Sequence, residues 1–538
     1  MLPQAPDSWT LAEAAHLLNR AGFGGSPADV IALHALGRTK AVDSLLQPGE
    51  AIGAIPLPAW ATSDQVAADF RERAAQRALV QAAIKTMGPE EAEGYRKEAF
   101  KEAQRLDRQR MVEGRGWWFR KMLRTKSPLR EKMTLFWHDH FATSQQKVRE
   151  PGLLLLQNEL FRRHATGDFR ALTHAILWDP AMMLYLDTQS SKRGRPNENF
   201  AREVMELFTL GEGHYTEQDI REAARAFTGY EFRRIDASTR HNKRQWDEGE
   251  KTVFGKTGRF TGDDVIDLIF EKPEAARLMA CKLWEYFAAE DPPPAAVDAL
   301  ADTLRRANFQ VAPLLREIFL SKQFYSDAVV RNQIKCPIQF LVQLLKQLEL
   351  DEAPRAYTQF SQEQLGQVLF QPPNVAGWDW GKAWINTNTL LTRYNLAGYL
   401  TKGSLKTPGT ETAPPMASQD EVEMDGAPMT PDAAPPPQPP PPEKAKGDRA
   451  KKMLNAMELA ARFWKGPDYE KIAPRSLRKR PADLVDSLGF RFFQSELPDK
   501  HRKRFIAFAE EKQGVVFTNH EVAELAHLML STPDYQLV

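Results

Sequence analysis

The chain has 538 residues, 42% of them apolar and 27% charged, and a formal net charge of +1. That length can bury a sizeable core, and the near-neutral charge removes any whole-chain attraction to nucleic acid or to an anionic membrane. Two cysteines, Cys281 and Cys336, are too few for a disulfide framework or a cysteine-rich metal cage and read as free thiols.

The start, MLPQAPDSWTLAEAA, lacks a basic region followed by an apolar run. No later stretch reaches the roughly 18 apolar residues of a membrane span, so a soluble, cytoplasmic protein without a membrane segment is expected. Thr10 with Glu13 forms a capping box before LAEAAHLLNRA, which stops at Gly22, and Ser26, Pro27 and Asp29 open the next helix. Residues from 64 to 125 are rich in Arg, Glu, Gln and Ala with interspersed Leu, Val and Met, the pattern of long solvated helices or a helical arm.

Ser127 and Pro128 begin the helix that carries LFWHDHFATS. On a helix the side chains of His138 and His140 diverge by ~160°, so both cannot reach one ion. Either His138 or Asp139 faces a neighbouring acidic helix, and His140 reads as a hydrogen-bonded core residue among Met133, Phe136, Trp137 and Phe141.

The most informative stretch is NENFAREVMELFTLGEGHYTEQDIREAARAFTGY, residues 197–230. At ~100° per residue, Asn199, Glu203 and Glu206 fall within about 60° of one another, while Phe200, Val204, Leu207 and Phe208 gather on another side. Carboxylates at i and i+3 repel, so something must offset them. A divalent cation would serve, as would an arginine (Arg195, Arg202, Arg221 or Arg225), or one carboxylate could take up a proton and act as a general acid. Gly211 fits the residue just past the helix end, Thr216 with Asp219 caps the helix that follows, and His214 in the turn between them offers a ligand or a proton relay. The candidate catalytic set is therefore Asn199, Glu203, Glu206 and His138. The candidate metal set, for one divalent ion, is Glu203, Glu206 and His214.

After Tyr230, Gly249, Gly255, Gly258 and Gly262 interrupt a polar stretch with β-capable pieces at 230–232 and 252–254, which predicts a small hairpin or irregular lobe over 229–262. Phe254-Gly255-Lys256-Thr257 resembles the end of a phosphate-binding loop, but Glu250 stands where the first glycine is required. The chain also lacks a Gly-x-Ser-x-Gly elbow, a His-Glu-x-x-His helix and a Cys-x-x-Cys pair. Thr261 with Asp264 restarts the helical pattern, which runs through ARLMACKLWEYFAA, VAPLLREIFL and PIQFLVQLLKQL to a compact aromatic loop, QPPNVAGWDWGKAWINTNTLL. From 407 to 448 the composition collapses into Pro, Ala, Glu and Lys, a disordered insertion. Helical patterning returns from 449 to 538. The basic runs at 478–480 and 501–504 read as solvated helix faces, and nucleic-acid binding is not expected because aromatics and basic residues are not interleaved. The fold class is mainly α, with a main body over 1–406.

Taken together, HLLNRAGFGGSPADV, FWHDHFATS, DPAMMLYLD, the 197–230 block, KTGRFTGDDVIDLI, QPPNVAGWDWGKAWINTNTLL and LMLSTPDYQ resemble the bacterial family catalogued as domain of unknown function 1800. The resemblance spans nearly the whole chain. It implies one family unit whose C-terminal helices pack back on the main body across the insertion, and a protein partner from the family catalogued as domain of unknown function 1501, with co-export as an associated role. Two functions fit these residues: an enzyme, a hydrolase or metal-assisted catalyst using the acidic helix, or a non-enzymatic helical scaffold for maturation or export of a partner.

Overall fold

The computed structural model describes residues 1–47, 55–352, 355–402, 464, 466–495, 497–512 and 516–538. Among these, helices dominate. Sheet is confined to two antiparallel hairpins, β1 (Tyr230–Arg233) with β2 (Ser238–His241), and β3 (Lys251–Val253) with β4 (Lys256–Gly258). The mainly α architecture with a small β lobe is as the sequence predicts, and the proline-rich insertion expected at 407–448 lies outside the described residues. No helix among the described residues is long and apolar enough to cross a membrane.

Local chemistry sets the helix starts. Thr10–Glu13, Ser26–Asp29, Thr216–Asp219 and Thr261–Asp264 all close as reciprocal capping boxes, and Thr518–Glu521 does the same near the C-terminus. The arginine-rich segment forms an antiparallel arm of helices Ser63–Ala83 and Pro89–Arg124. The second has 36 residues and is therefore about 54 Å long. Bidentate pairs clamp the arm, Arg110 on Asp69 and Arg73 on Asp107. The inner end of the long helix enters the core through Trp117, Trp118 and Met122.

The helix Pro128–His140 runs through the middle of the molecule, with every residue from Glu131 to His140 buried. Its polar groups are satisfied in place. Glu131 and Glu159 both bind the buried Arg162, at 2.6 and 2.5 Å, and Trp118 Nε1 donates to Glu131. Helix Pro337–Gln347 crosses it and meets the C-terminal helices: Gln347 Nε2 donates to Phe492 O, Tyr535 Oη donates to Gln347 Oε1, and Arg491 donates to Gln347 O. Arg478 corrects the expectation of a solvated basic run. It is 2% exposed, and its guanidinium donates to Ala473 O, Tyr469 O and Asn519 Oδ1, so this cation is a buried staple between the helices Tyr469–Ile472 and Asn519–Leu530.

Candidate active site

Three residues of the central helix, Lys132, Phe136 and Asp139, share the spacing i, i+4, i+7 and so one face. That face opens on a cavity of about 570 Å³, closed on its other sides by Lys282, Tyr286, Cys336 and Trp380. Tyr286 is fixed by donating its hydroxyl to Lys132 O (3.2 Å), and its ring meets Trp380 edge-on at 5.0 Å. Glu285 and Glu290 are exposed and form the rim.

Asp139 is the most perturbed acid in the cavity. Burial pushes its carboxyl up to about 7, against the Trp378 N–H (2.8 Å), the charge of Lys282 and the Trp380 side chain, all of which favour the ionised form. The aromatic loop can approach this closely only because of Gly377. Its φ is +90°, and a Cβ there would overlap Asp139 Oδ1 and stand 2.7 Å from Asp139 O. Thus the loop at 376–381 folds its backbone around one carboxyl group.

Opposite, Lys282 of helix Pro273–Phe287 donates to Leu207 O at 2.9 Å and approaches His140 Nδ1 at 3.4 Å. His140 Nε2 donates to Phe208 O at 3.0 Å. With Nδ1 accepting from an ammonium and Nε2 donating to a carbonyl, His140 is the neutral Nε2–H tautomer, and burial holds its pKa well below the usual value. Leu207 and Phe208 lie at the end of the acidic helix, which is α-helical over Asn199–Glu203 and π-helical over Val204–Thr209. A helix end leaves carbonyls without intrahelical donors, and a cation is favoured there, so Lys282 and His140 cap it. The two segments singled out in the sequence therefore meet, through Lys282 and His140.

The expected site residues divide differently. Glu203 and Glu206 stay close enough that burial and Glu206 together raise the Glu203 carboxyl. However, Glu206 accepts from Tyr215 Oη at 2.6 Å, and Arg202 turns away to Glu217 and Glu198. Asn199 is exposed at the helix start. His214 is exposed too, with Nδ1 4.0 Å from Glu274. The set Glu203, Glu206 and His214 is not gathered: among the described residues no group of three or more His, Cys, Asp or Glu side chains is placed to hold a metal ion. The π-turn and the Tyr215 bond are the physical reason, since they fix Glu206 while His214 remains in the outer turn.

His138 is likewise not beside the acidic helix. It is 1% exposed, accepts the Phe370 N–H at Nε2 (3.1 Å), and packs among Trp118, Phe161, Phe370 and Trp378. Burial drives its pKa down to about 3, which makes it a neutral core acceptor. His140, read as a hydrogen-bonded core histidine, is one. Lys132, Lys282 and Cys336 had no role in the sequence reading. The signal available for Lys132 was its i, i+7 spacing to Asp139. Lys282 sits inside ARLMACKLWEYFAA, where nothing local marks a lysine as buried.

The family described as "Protein of unknown function (DUF1800)" matches residues 16–537. No curated protein and no solved structure matches the chain.

Proposed function

We propose that this chain, which belongs to the family described as Protein of unknown function (DUF1800), is an enzyme of the hydrolase type whose proton-transfer centre is Asp139. The observation that carries this is a buried carboxyl on the cavity wall, gripped by the Trp378 N–H and pushed by burial up to about 7, the range in which one group both accepts and gives a proton. As carboxylate, Asp139 takes a proton from water as the water oxygen bonds to the substrate's electrophilic carbon. As carboxyl, it returns that proton to the leaving group when the scissile bond breaks. Lys282 favours the anionic form of Asp139 between these steps, and His140 with the carbonyls of Leu207 and Phe208 holds Lys282 in place.

The test is a panel of carboxylic, amide and phosphate esters assayed with wild type and Asp139→Asn side by side. The proposal predicts at least one substrate whose turnover inflects near pH 7 and falls by 10² or more in the variant while the variant remains folded. Equal rates for wild type and variant on every substrate turned over, or no turnover of any ester, would remove it.

A second reading, a scaffold that grips a protein partner, is favoured by the arm. There Leu79 and Phe100 are 64% and 62% exposed, beside a groove of about 980 Å³ whose Arg77, Arg96 and Arg108 have no ion pair among the described residues. Co-expression with a neighbouring-gene protein such as one of the domain of unknown function 1501 family tests it. Loss of co-purification in Phe100→Ser supports the reading, and unchanged association or none at all counts against it.

A further inference from the structure

Lys132 is a buried ammonium with no carboxylate bonded to it among the described residues. It is 6% exposed and donates one proton, to Gln339 Oε1 at 2.6 Å. The remaining surroundings are the ring faces of Phe23 and Tyr286, 5.2 and 5.4 Å away, and Cys336, whose charge favours the ammonium while burial pushes the lysine pKa down to about 8. Gln339 cannot share more charge with it, because its Nε2 is spent on Asn19 O and Gln343 Oε1. The nearest cation makes matters worse. Arg20 is 2% exposed and is held by neutral oxygens alone, those of Val329, Asn332 and Gln333, and its charge acts against that of Lys132.

A buried charge without a counter-charge costs several kcal/mol unless something pairs with it. Among the described residues Lys132 has one hydrogen-bond acceptor, Gln339 Oε1, and it lines the cavity. Asp139 does not serve as the counter-charge: its carboxyl takes the Trp378 N–H, and the nearer charge acting on it is that of Lys282. The two groups are seven residues apart on one helix, hence about 10 Å of rise. Phe136 lies between them on the same face, with Tyr286 and Trp380 on the opposite wall.

We infer that Lys132 is the anion-binding end of this cavity, and that its ligand is a small organic molecule with one oxyanionic head, carboxylate or phosphate, on an apolar body that reaches toward Asp139. The volume suits a molecule of drug-like size. Glu285 and Glu290 at the rim repel a second anionic group, so a molecule with one oxyanionic head is preferred over one with two. This inference rests on reading the same cavity as the active site, but the two fail separately.

Titration calorimetry on the full chain with benzoate, phenyl phosphate and neutral benzyl alcohol tests it. Wild type should bind benzoate or phenyl phosphate at least tenfold more tightly than benzyl alcohol. Which of the two anions binds distinguishes carboxylate from phosphate. Lys132→Met should erase the preference, and Asp139→Asn should keep it. Equal binding of charged and neutral probes by wild type, or no binding of any probe, overturns the inference without recourse to a variant. So does a Lys132→Met protein that folds and retains the preference. Anion binding without ester turnover would sink the hydrolase reading and leave the anion site standing, whereas turnover of neutral esters without anion binding would do the reverse.

Discussion

Replacing Gly377 by alanine isolates the close approach that defines the site. Two effects add at this position. A side chain at φ +90° is strained, at about 1–3 kcal/mol. The new methyl also overlaps the Asp139 carboxyl, so the loop must lift and the Trp378 N–H bond to Asp139 is lost. A hydrogen bond to a charged group contributes about 1.5–3 kcal/mol. Gly211→Ala is the internal control, since φ is +83° but the nearest atom to its Cβ would be Leu278 Cδ1 at 3.7 Å, an ordinary contact. Strain alone should then govern Gly211, and strain plus displacement should govern Gly377. Urea unfolding of both variants, followed by tryptophan fluorescence because Trp378 and Trp380 flank the site, should show Gly377→Ala less stable than Gly211→Ala by about 2–3 kcal/mol. Equal losses at the two glycines would refute the argument that the loop is moulded on Asp139.

Three further outcomes are expected. The folded Asp139 pKa of about 7 lies above the ordinary aspartate value of 3.8, so the native state holds the extra proton between those values and loses stability as pH rises through that window. Compared with wild type, Asp139→Asn should gain roughly 2–3 kcal/mol between pH 5 and pH 8, as read from urea midpoints at the two pH values; a pH-independent difference would contradict this. Arg162→Met leaves Glu131 buried without its cation and Glu159 with Lys121 alone, at 3.4 Å, and should cost about 3–5 kcal/mol by the same measurement, whereas a loss below about 1 kcal/mol would show that the cluster is hydrated. Protein purified without chelator should carry the same metal content in wild type and in the Glu203→Gln, Glu206→Gln double variant, and wild type should melt alike with and without EDTA. One equivalent of metal lost in the double variant would restore the acidic helix as a metal centre.

What could be read from the sequence was local. Capping boxes at Thr10, Thr216 and Thr261 are decided within four residues and closed as read, and the helix start at Ser26 closes as a box too, whereas Ser127, expected to cap the central helix, makes no side-chain cap bond. The turn glycine Gly211 has the positive φ assigned to it. The segments that build the site were also visible, because FWHDHF and the aromatic loop are dense in residues that need partners. Their pairing was not. Asp139 and Trp378 are 239 positions apart, and no periodicity reports a contact at that separation. The π-segment at Val204–Thr209 escaped for a related reason: its residues have ordinary helical composition, and its wider turn is held by the tertiary bonds from Lys282 and His140. Lysines on amphipathic helices are usually solvated, so Lys282 gave no cue and Lys132 only its spacing to Asp139, and the same prior misassigned Arg478.

The most direct test of the account is the titration of Asp139 itself. Carbon-detected NMR of protein labelled at the aspartate carboxyl carbon, with the Asp139 signal assigned by difference against Asp139→Asn, should give an inflection near pH 7 for that residue. An inflection near pH 4 would mean that the carboxyl is ionised and hydrated like a surface aspartate, and that the cavity does not tune it for proton transfer.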